Sequence, residues 1–149
     1  SLVDSGYALQ AIIGYQTCKY TGPIQLFIVP NPMKLKSFYG KLLQQISRFD
    51  APDYFTDEQL DTAKNKLIMD DIYSKEKTSA YVHTVTFWWA SASIDYYTTY
   101  NDMIKKVTRA DIKDYVDKYI KDKPSVTGLL LSPTIKEKLG VNSAEDILK

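Results

Sequence analysis

The chain has 149 residues, 44% of them hydrophobic and 25% charged, and 19 basic against 18 acidic side chains leave a net charge of +1. That length suits one domain, residues 1–149, which can bury roughly 70% of its unfolded surface without a disulfide or metal staple. The even charge balance gives no support for nucleic-acid binding, which wants a basic excess on one face; no apolar run reaches the ~20 residues of a membrane helix, and a lone cysteine, Cys18, excludes an internal disulfide.

The chain opens SLVDSGYALQ, with no initiator methionine and straight into a strand-like segment. It therefore reads as a piece of a longer protein, with any targeting segment upstream. Tyr7–Thr17 alternates: Tyr7, Leu9, Ala11, Ile13 and Tyr15 share one side, the period of a half-buried strand. A short connection, Cys18–Gly22, leads to a second strand over Ile24–Val29. So short a link favours an antiparallel pair, because a parallel one needs a crossover of about a dozen residues. Pro30-Asn31-Pro32 ends it, with Asn31 as N-cap and Pro32 at the first helical position. Leu35, Phe38, Tyr39, Leu42, Leu43, Ile46 and Phe49 then mark a helix with a broad apolar stripe, broken by Pro52.

The best-specified helix is Phe55–Tyr73, FTDEQLDTAKNKLIMDDIY. Thr56 stands at the N-cap and Gln59 three residues on, the spacing of a capping box; Phe55 and Leu60 can close a hydrophobic staple. Leu60, Ala63, Leu67 and Ile68 supply its predicted apolar stripe. From Ser79, Tyr81, Val82, Val85, Trp88 and Trp89 fit a helical face, although the Val/Thr/Phe/Trp content also suits a strand. Apolar spacings of three and four favour helix. Asp95–Lys106 is a further helix. Arg109–Lys121 is another, opened by Thr108 and Asp111 in the same cap grammar as Thr56 and Gln59. Val126–Leu131 reads as an almost wholly apolar strand of a sheet interior. Ser132-Pro133 opens a helical turn that Gly140 stops, and Ser143–Leu148 makes a last turn. Strands gathered around a block of helices point to an α+β two-layer sandwich, with helices on one face of a mostly antiparallel sheet.

Chemistry is scarce. His83 is the sole histidine, whereas a zinc site needs about three protein ligands, usually two or more from His or Cys. His83 reads as a helix-surface or core-edge residue, and Cys18, beside Lys19, as an incidental loop thiol. No phosphate loop, dinucleotide fingerprint or nucleophile turn is present. Asp57-Glu58 sits in a helix's first turn, where the helix dipole favours negative charge. Asp70-Asp71 are adjacent on a helix, so their carboxylates diverge by roughly 100° and cannot share a proton. The twelve tyrosines with Trp88 and Trp89 read as core at helical spacing, with a peptide-binding surface as the alternative. No catalytic, cofactor-binding or metal residue is assigned.

Taken in order, the segments resemble the insulinase/pitrilysin-type zinc peptidases, the family with the inverted H-x-x-E-H motif. GYALQAIIGYQ and GPIQLFIVPNP come first. FTDEQLDTAKNKL is similar to that family's T-x-E-E-L-x-x-A-K-x-x-L helix, and DYYTTYNDMIKKVTRADIKDYVDKYI to its Y-x-x-I-x-x-V-T-x-x-D-I-x-x-x-A-x-K-Y segment. SVTGLLLSP is similar to its last strand. The likeness spans about residues 6–133 and lies in order and spacing, not in any single piece.

The resemblance implies most of one α+β domain, without its first strands and helix, from a clamshell built of two or four such domains around a peptide. The zinc motif belongs to an N-terminal domain, and nothing matches it here: His83 is followed by Thr84-Val85-Thr86-Phe87. Zinc is then expected in the parent protein or its partner, where it would polarise the scissile carbonyl and activate water. The family's partner domain often lends an arginine and a tyrosine, six residues between them, to the active site. Aligned on Gly6, those places hold Leu2 and Leu9; if the register slips so that Tyr7 is the tyrosine, the arginine falls before residue 1. We take the pair to be lost. The resemblance thus implies a non-catalytic C-terminal domain forming one wall of a peptide chamber, with a homologous peptidase domain and a peptide substrate as partners. The periplasm is the compartment it suggests. The alternative is a degenerate scaffold subunit of a catalytic homologue. A third reading, a generic α+β domain, predicts that residues 7–17, 24–29 and 126–131 do not share one sheet.

Overall fold

A computed structural model describes residues 1–148, and it divides into two compact units. The first comprises residues 1–14, 25–50 and 113 onward; the second comprises 15–24 and 51–112. The fold is α+β, as expected, with an antiparallel two-stranded sheet and six α-helices among the described residues.

Strands β1 (Ala8–Tyr15) and β2 (Ile24–Pro30) pair as a hairpin. The Asn31 N–H donates to the Tyr7 carbonyl at 2.8 Å at one end, and the Gln16 N–H to the Pro23 carbonyl at 3.2 Å at the other. Gly22 closes the connection because nothing larger fits: a Cβ there would stand 1.8 Å from the Gln16 carbonyl oxygen.

In the first unit, helix α1 (Leu35–Ile46) lies on the hairpin. Phe38 packs with Leu2 and Ala8, and Tyr7, Ile28 and Leu42 close around them. The face of β1 expected to be buried is not: Leu9, Ile13 and Tyr15 are exposed, and the contact runs through Ala8. Alternation sets which residues share a side, but a two-stranded sheet touched only at one end by a helix leaves both sides open further along. A 3-10 turn (Pro32–Lys34) leads into α1, capped as expected by Asn31, whose Oδ1 accepts from the Met33 N–H at 3.0 Å. The Asn31 amide also donates to the Gly6 carbonyl at 2.9 Å and fixes the opening turn of the chain.

The expected strand at Val126–Leu131 does not form. The segment runs without ladder partners. Leu129 and Leu131 pack on a second cluster of Leu35, Val141 and Ile147, while Val126 (101% exposed) and Leu130 (96%) point away. The almost wholly apolar pattern predicts burial on both sides; the segment is covered on one side only. It is followed by α6 (Pro133–Leu139), capped by Ser132 and ended by Gly140 at φ 62°, and by a 3-10 turn over Ala144–Asp146. Gly140 supplies the left-handed conformation that other residues adopt at a cost. In the same unit the Lys121 ammonium donates to Asp50 Oδ2 at 2.7 Å and holds that carboxyl below its ordinary value.

The second unit packs α2 (Asp57–Ser74), α3 (Thr78–Ser91) and α4 (Ile94–Lys106) on one another. Helix, not strand, is correct from Thr78 on. Both expected capping boxes form. Thr56 Oγ1 accepts from the Gln59 N–H at 3.1 Å while Gln59 Oε1 accepts from the Thr56 N–H at 2.9 Å. At the start of α5 (Arg109–Tyr119), Asp111 accepts from the Thr108 N–H at 2.8 Å and its own N–H donates to Thr108 Oγ1 at 3.2 Å. Arg109 ties the two starts together: its guanidinium lies 4.5 Å above the Phe55 ring, donates to the Pro52 and Phe55 carbonyls, and pairs with Asp57.

The stripe of α2 differs from expectation. Leu60, Lys64, Ile68, Asp71 and Ser74 are its less exposed positions, while Ala63 and Leu67 face out. The predicted face of α3 also splits: Val85 and Trp88 turn inward, and Val82 and Trp89 outward.

Candidate functional site

Among the described residues, the densest polar constellation lies between α2 and α4, and its centre is Asp71. Asp71 and Lys75 are one helical turn apart on and just after α2; Tyr97 and Asn101 are one turn apart on α4, so each pair shares a face. Asp71 Oδ2 accepts from Lys75 Nζ at 2.6 Å and from Asn101 Nδ2 at 2.7 Å, and Oδ1 accepts from the Tyr97 hydroxyl at 3.2 Å. The Asp71 side chain keeps 11% of its exposure, that of Lys75 42%. One turn-pair earlier, Lys64 Nζ reaches the Lys105 carbonyl at 3.4 Å, one of the carbonyls a helix end leaves without an intrahelical donor. Two polar residues therefore sit on the packed face of α2 because α4 offers each a partner.

The electrostatics follow from this geometry. Burial pushes the Asp71 carboxyl up, but the Lys75 and Asn101 hydrogen bonds, the Lys75 charge and the Tyr97 hydroxyl outweigh it and hold the group below its ordinary 3.8. The hydrogen bond to Asp71 raises Lys75. Burial, then the Asp71 charge, raises Tyr97, and burial raises Tyr100. The carboxylate is thus held ionised and the phenol protonated, with three hydrogen bonds already made to the acid. A general base poised for neutral pH has the opposite tuning, a carboxyl raised toward 7. The network positions α2 against α4. One acceptor in it, Asn101 Oδ1, is buried without a donor.

Trp88 fills the space beside the network. Its ring centroid lies 5.1 Å from that of Tyr96, 5.4 Å from Tyr100 and 6.5 Å from Tyr97, the last pair stacked. These aromatics pack the α3–α4 pair, but the expectation that the tyrosines and tryptophans form the core holds only here: Tyr97 is the one buried tyrosine among the described residues, and Tyr15, Tyr20, Tyr54, Tyr73, Tyr81, Tyr115 and Tyr119 are exposed. Trp89, its neighbour in sequence, is 71% exposed.

The residues singled out in the sequence fall apart in space. His83 is exposed on α3, Cys18 lies half-buried in the hairpin connection, and Asp70 is exposed while Asp71 turns inward. Leu2 is buried against Ala8 and Phe38, whereas Leu9 is 65% exposed. Among the described residues no group of three or more His, Cys, Asp or Glu side chains is gathered as a metal site. The Asp71 network went unread in the sequence, although Asp71/Lys75 and Tyr97/Asn101 each carry the four-residue spacing that signals a shared face.

No family model, no curated protein and no solved structure matches this chain.

Proposed function

We propose that the chain is a non-catalytic C-terminal domain of an insulinase/pitrilysin-type zinc peptidase and forms one wall of its peptide chamber. The observation that carries this reading is the ordered run of segments over residues 6–133, above all the two helix starts at Thr56 and Thr108 with their surrounding motif residues. The metal and the reaction would belong to a homologous domain, and no catalytic step is assigned to any residue here.

A second reading, a generic α+β domain, is favoured by one observation. Residues 126–131 stay outside the sheet that β1 and β2 form, where the peptidase reading wanted a third strand. The scaffold-subunit reading draws on Leu2 and Leu9. Leu2 belongs to the core around Phe38, and a packing role at the position that the resemblance aligns with the family's arginine supports that reading.

The test uses the 149-residue chain with added zinc, a quenched-fluorescence unfolded peptide, and a homologous H-x-x-E-H domain. The chamber-wall role predicts no stoichiometric zinc and no cleavage by the chain alone, and co-elution with the catalytic domain. Zinc at one equivalent with cleavage of the peptide would overturn the non-catalytic role. Failure to co-elute with any catalytic homologue, with no affinity for the peptide, would overturn the peptidase reading in favour of the generic domain.

A further inference from the structure

Strand β1 has one neighbour in the sheet, β2, so its other edge carries backbone groups with no ladder partner among the described residues. The pairing tells which groups these are. The Asn31 N–H donates to the Tyr7 carbonyl, and in an antiparallel pair alternate residues turn their N–H and C=O toward the partner strand. Tyr7, Leu9 and Ala11 therefore face β2, while Ala8, Gln10 and Ile12 face away. The Ala8 N–H accordingly bonds the Leu2 carbonyl at 3.0 Å, off the ladder. Gln10 and Ile12 have no such backbone partner among the described residues. Native sheets shield a free edge with charge, proline, a bulge or a covering element. Over Tyr7–Thr17, YALQAIIGYQT, there is no Asp, Glu, Lys, Arg or Pro, and every residue from Leu9 to Gln16 is exposed. The outer edge of β2 differs: Pro23 and Pro30 bound it, and Ile24, Ile28 and Val29 are half-buried.

We infer that β1 pairs edge to edge with β1 of a second copy, antiparallel about Ile12, to give a four-stranded sheet in the order β2-β1-β1-β2. The ladder selects the kind of occupant, because a row of strand-spaced N–H and C=O groups is satisfied by an extended backbone and not by a helix. Self-complementarity selects the second copy. A two-fold axis through an antiparallel pair sets odd residues opposite odd and even opposite even. With Ile12 on the axis, Ile12 faces Ile12, Ala11 faces Ile13, and no charge meets its like. The contact of α1 at Ala8 and its counterpart in the second copy then fall at opposite ends of the joined strands, clear of the axis. A contact along one edge of eight residues buries less than the ~1,200 Å² of a standard interface, so association is weak, with a dissociation constant on the order of 100 μM. The contact uses the one bare edge and is isologous, so assembly stops at two copies. The dimer is independent of the peptidase reading.

Sedimentation velocity of the 149-residue chain from about 10 to 500 μM, a range that brackets such a constant, is the test. The expected result is a species of 17.0 kDa at the dilute end, giving way to one of twice that mass. Ile12→Lys sets two ammonium groups against each other at the axis and should weaken association by about tenfold, as should Ile12→Glu with its two carboxylates. Mixed in equal amounts, the two variants should recover it, because Lys then faces Glu. Leu130→Glu, at an exposed apolar position outside the sheet, should associate as the parent does. Far-UV circular dichroism checks that each variant folds. In the parent itself, amide exchange at Gln10 and Ile12 should slow as concentration rises, a readout that needs no variant. A parent chain that stays at 17.0 kDa throughout, or one that grows past twice that mass, overturns the inference. So does association that Ile12→Lys leaves intact, a mixture that recovers nothing, or exchange at Gln10 and Ile12 that ignores concentration.

Discussion

Replacing Asp71 by alanine should destabilise the helical unit of residues 51–112 more than any other single polar change there. The substitution removes three hydrogen bonds at once, from Lys75, Asn101 and Tyr97. Lys75 is 42% exposed and simply rehydrates, so its pair contributes about 0–1 kcal/mol. Tyr97 is buried and Asn101 half-buried, and each loses the acceptor for a donor group. An unsatisfied donor costs about 1–3 kcal/mol, which places the whole effect at about 2–7 kcal/mol. Asp71→Asn keeps an acceptor oxygen and the shape, and should cost roughly half as much. Both tryptophans lie in this unit, so fluorescence-detected urea unfolding reports on it directly. A double-mutant cycle with Asn101→Ala should show a coupling of about 1–2 kcal/mol, as expected for groups within one network. A loss under about 0.5 kcal/mol for Asp71→Ala, or strictly additive effects in the cycle, would refute the idea that this network fixes α2 against α4.

The pH dependence of the same unit follows from the directions of its shifts. The folded Asp71 lies below its ordinary 3.8, so its contribution is present above that value and lost as pH falls through the lower folded one. Tyr97 and Lys75 are raised from 10.0 and 10.5, so their contributions hold below those values and fade as pH climbs past them. Urea midpoints should therefore fall on the acid side below about pH 4 and on the alkaline side above about pH 10, and Asp71→Asn should flatten the acid limb. Thr56→Ala removes the side-chain half of the α2 capping box and should cost about 1 kcal/mol in the same unfolding assay. Gly22→Ala forces a Cβ to 1.8 Å from the Gln16 carbonyl oxygen, and amide exchange at Gln16 should quicken as the hairpin connection opens, with a cost of about 1–3 kcal/mol. Phe38→Ala leaves a cavity between α1 and the hairpin and should cost about 3–5 kcal/mol, measured by thermal unfolding.

The sequence by itself determined the local structure wherever the cause was local. Caps are made by residues three apart, so Thr56 with Gln59 and Thr108 with Asp111 could be read directly, as could Asn31-Pro32, Ser132 and Gly140. The antiparallel hairpin followed from the brevity of its connection, and the α+β class from the order of elements. The tertiary structure alone decided which faces meet. Apolar periodicity assigned Ala63 and Leu67 to the inner side of α2, yet Lys64 and Asp71 turn inward because α4 supplies the Lys105 carbonyl, Tyr97 and Asn101. It assigned Val126–Leu131 to a sheet, yet a strand exists only where another backbone offers a ladder, and here the segment rests by two leucines on the Leu35 cluster. Adjacent Trp88 and Trp89 look alike in sequence, but one is enclosed by three tyrosines and the other faces out. Helix starts are fixed by hydrogen bonds within four residues; burial is fixed by what lies across a gap, and that partner comes from a distant part of the chain.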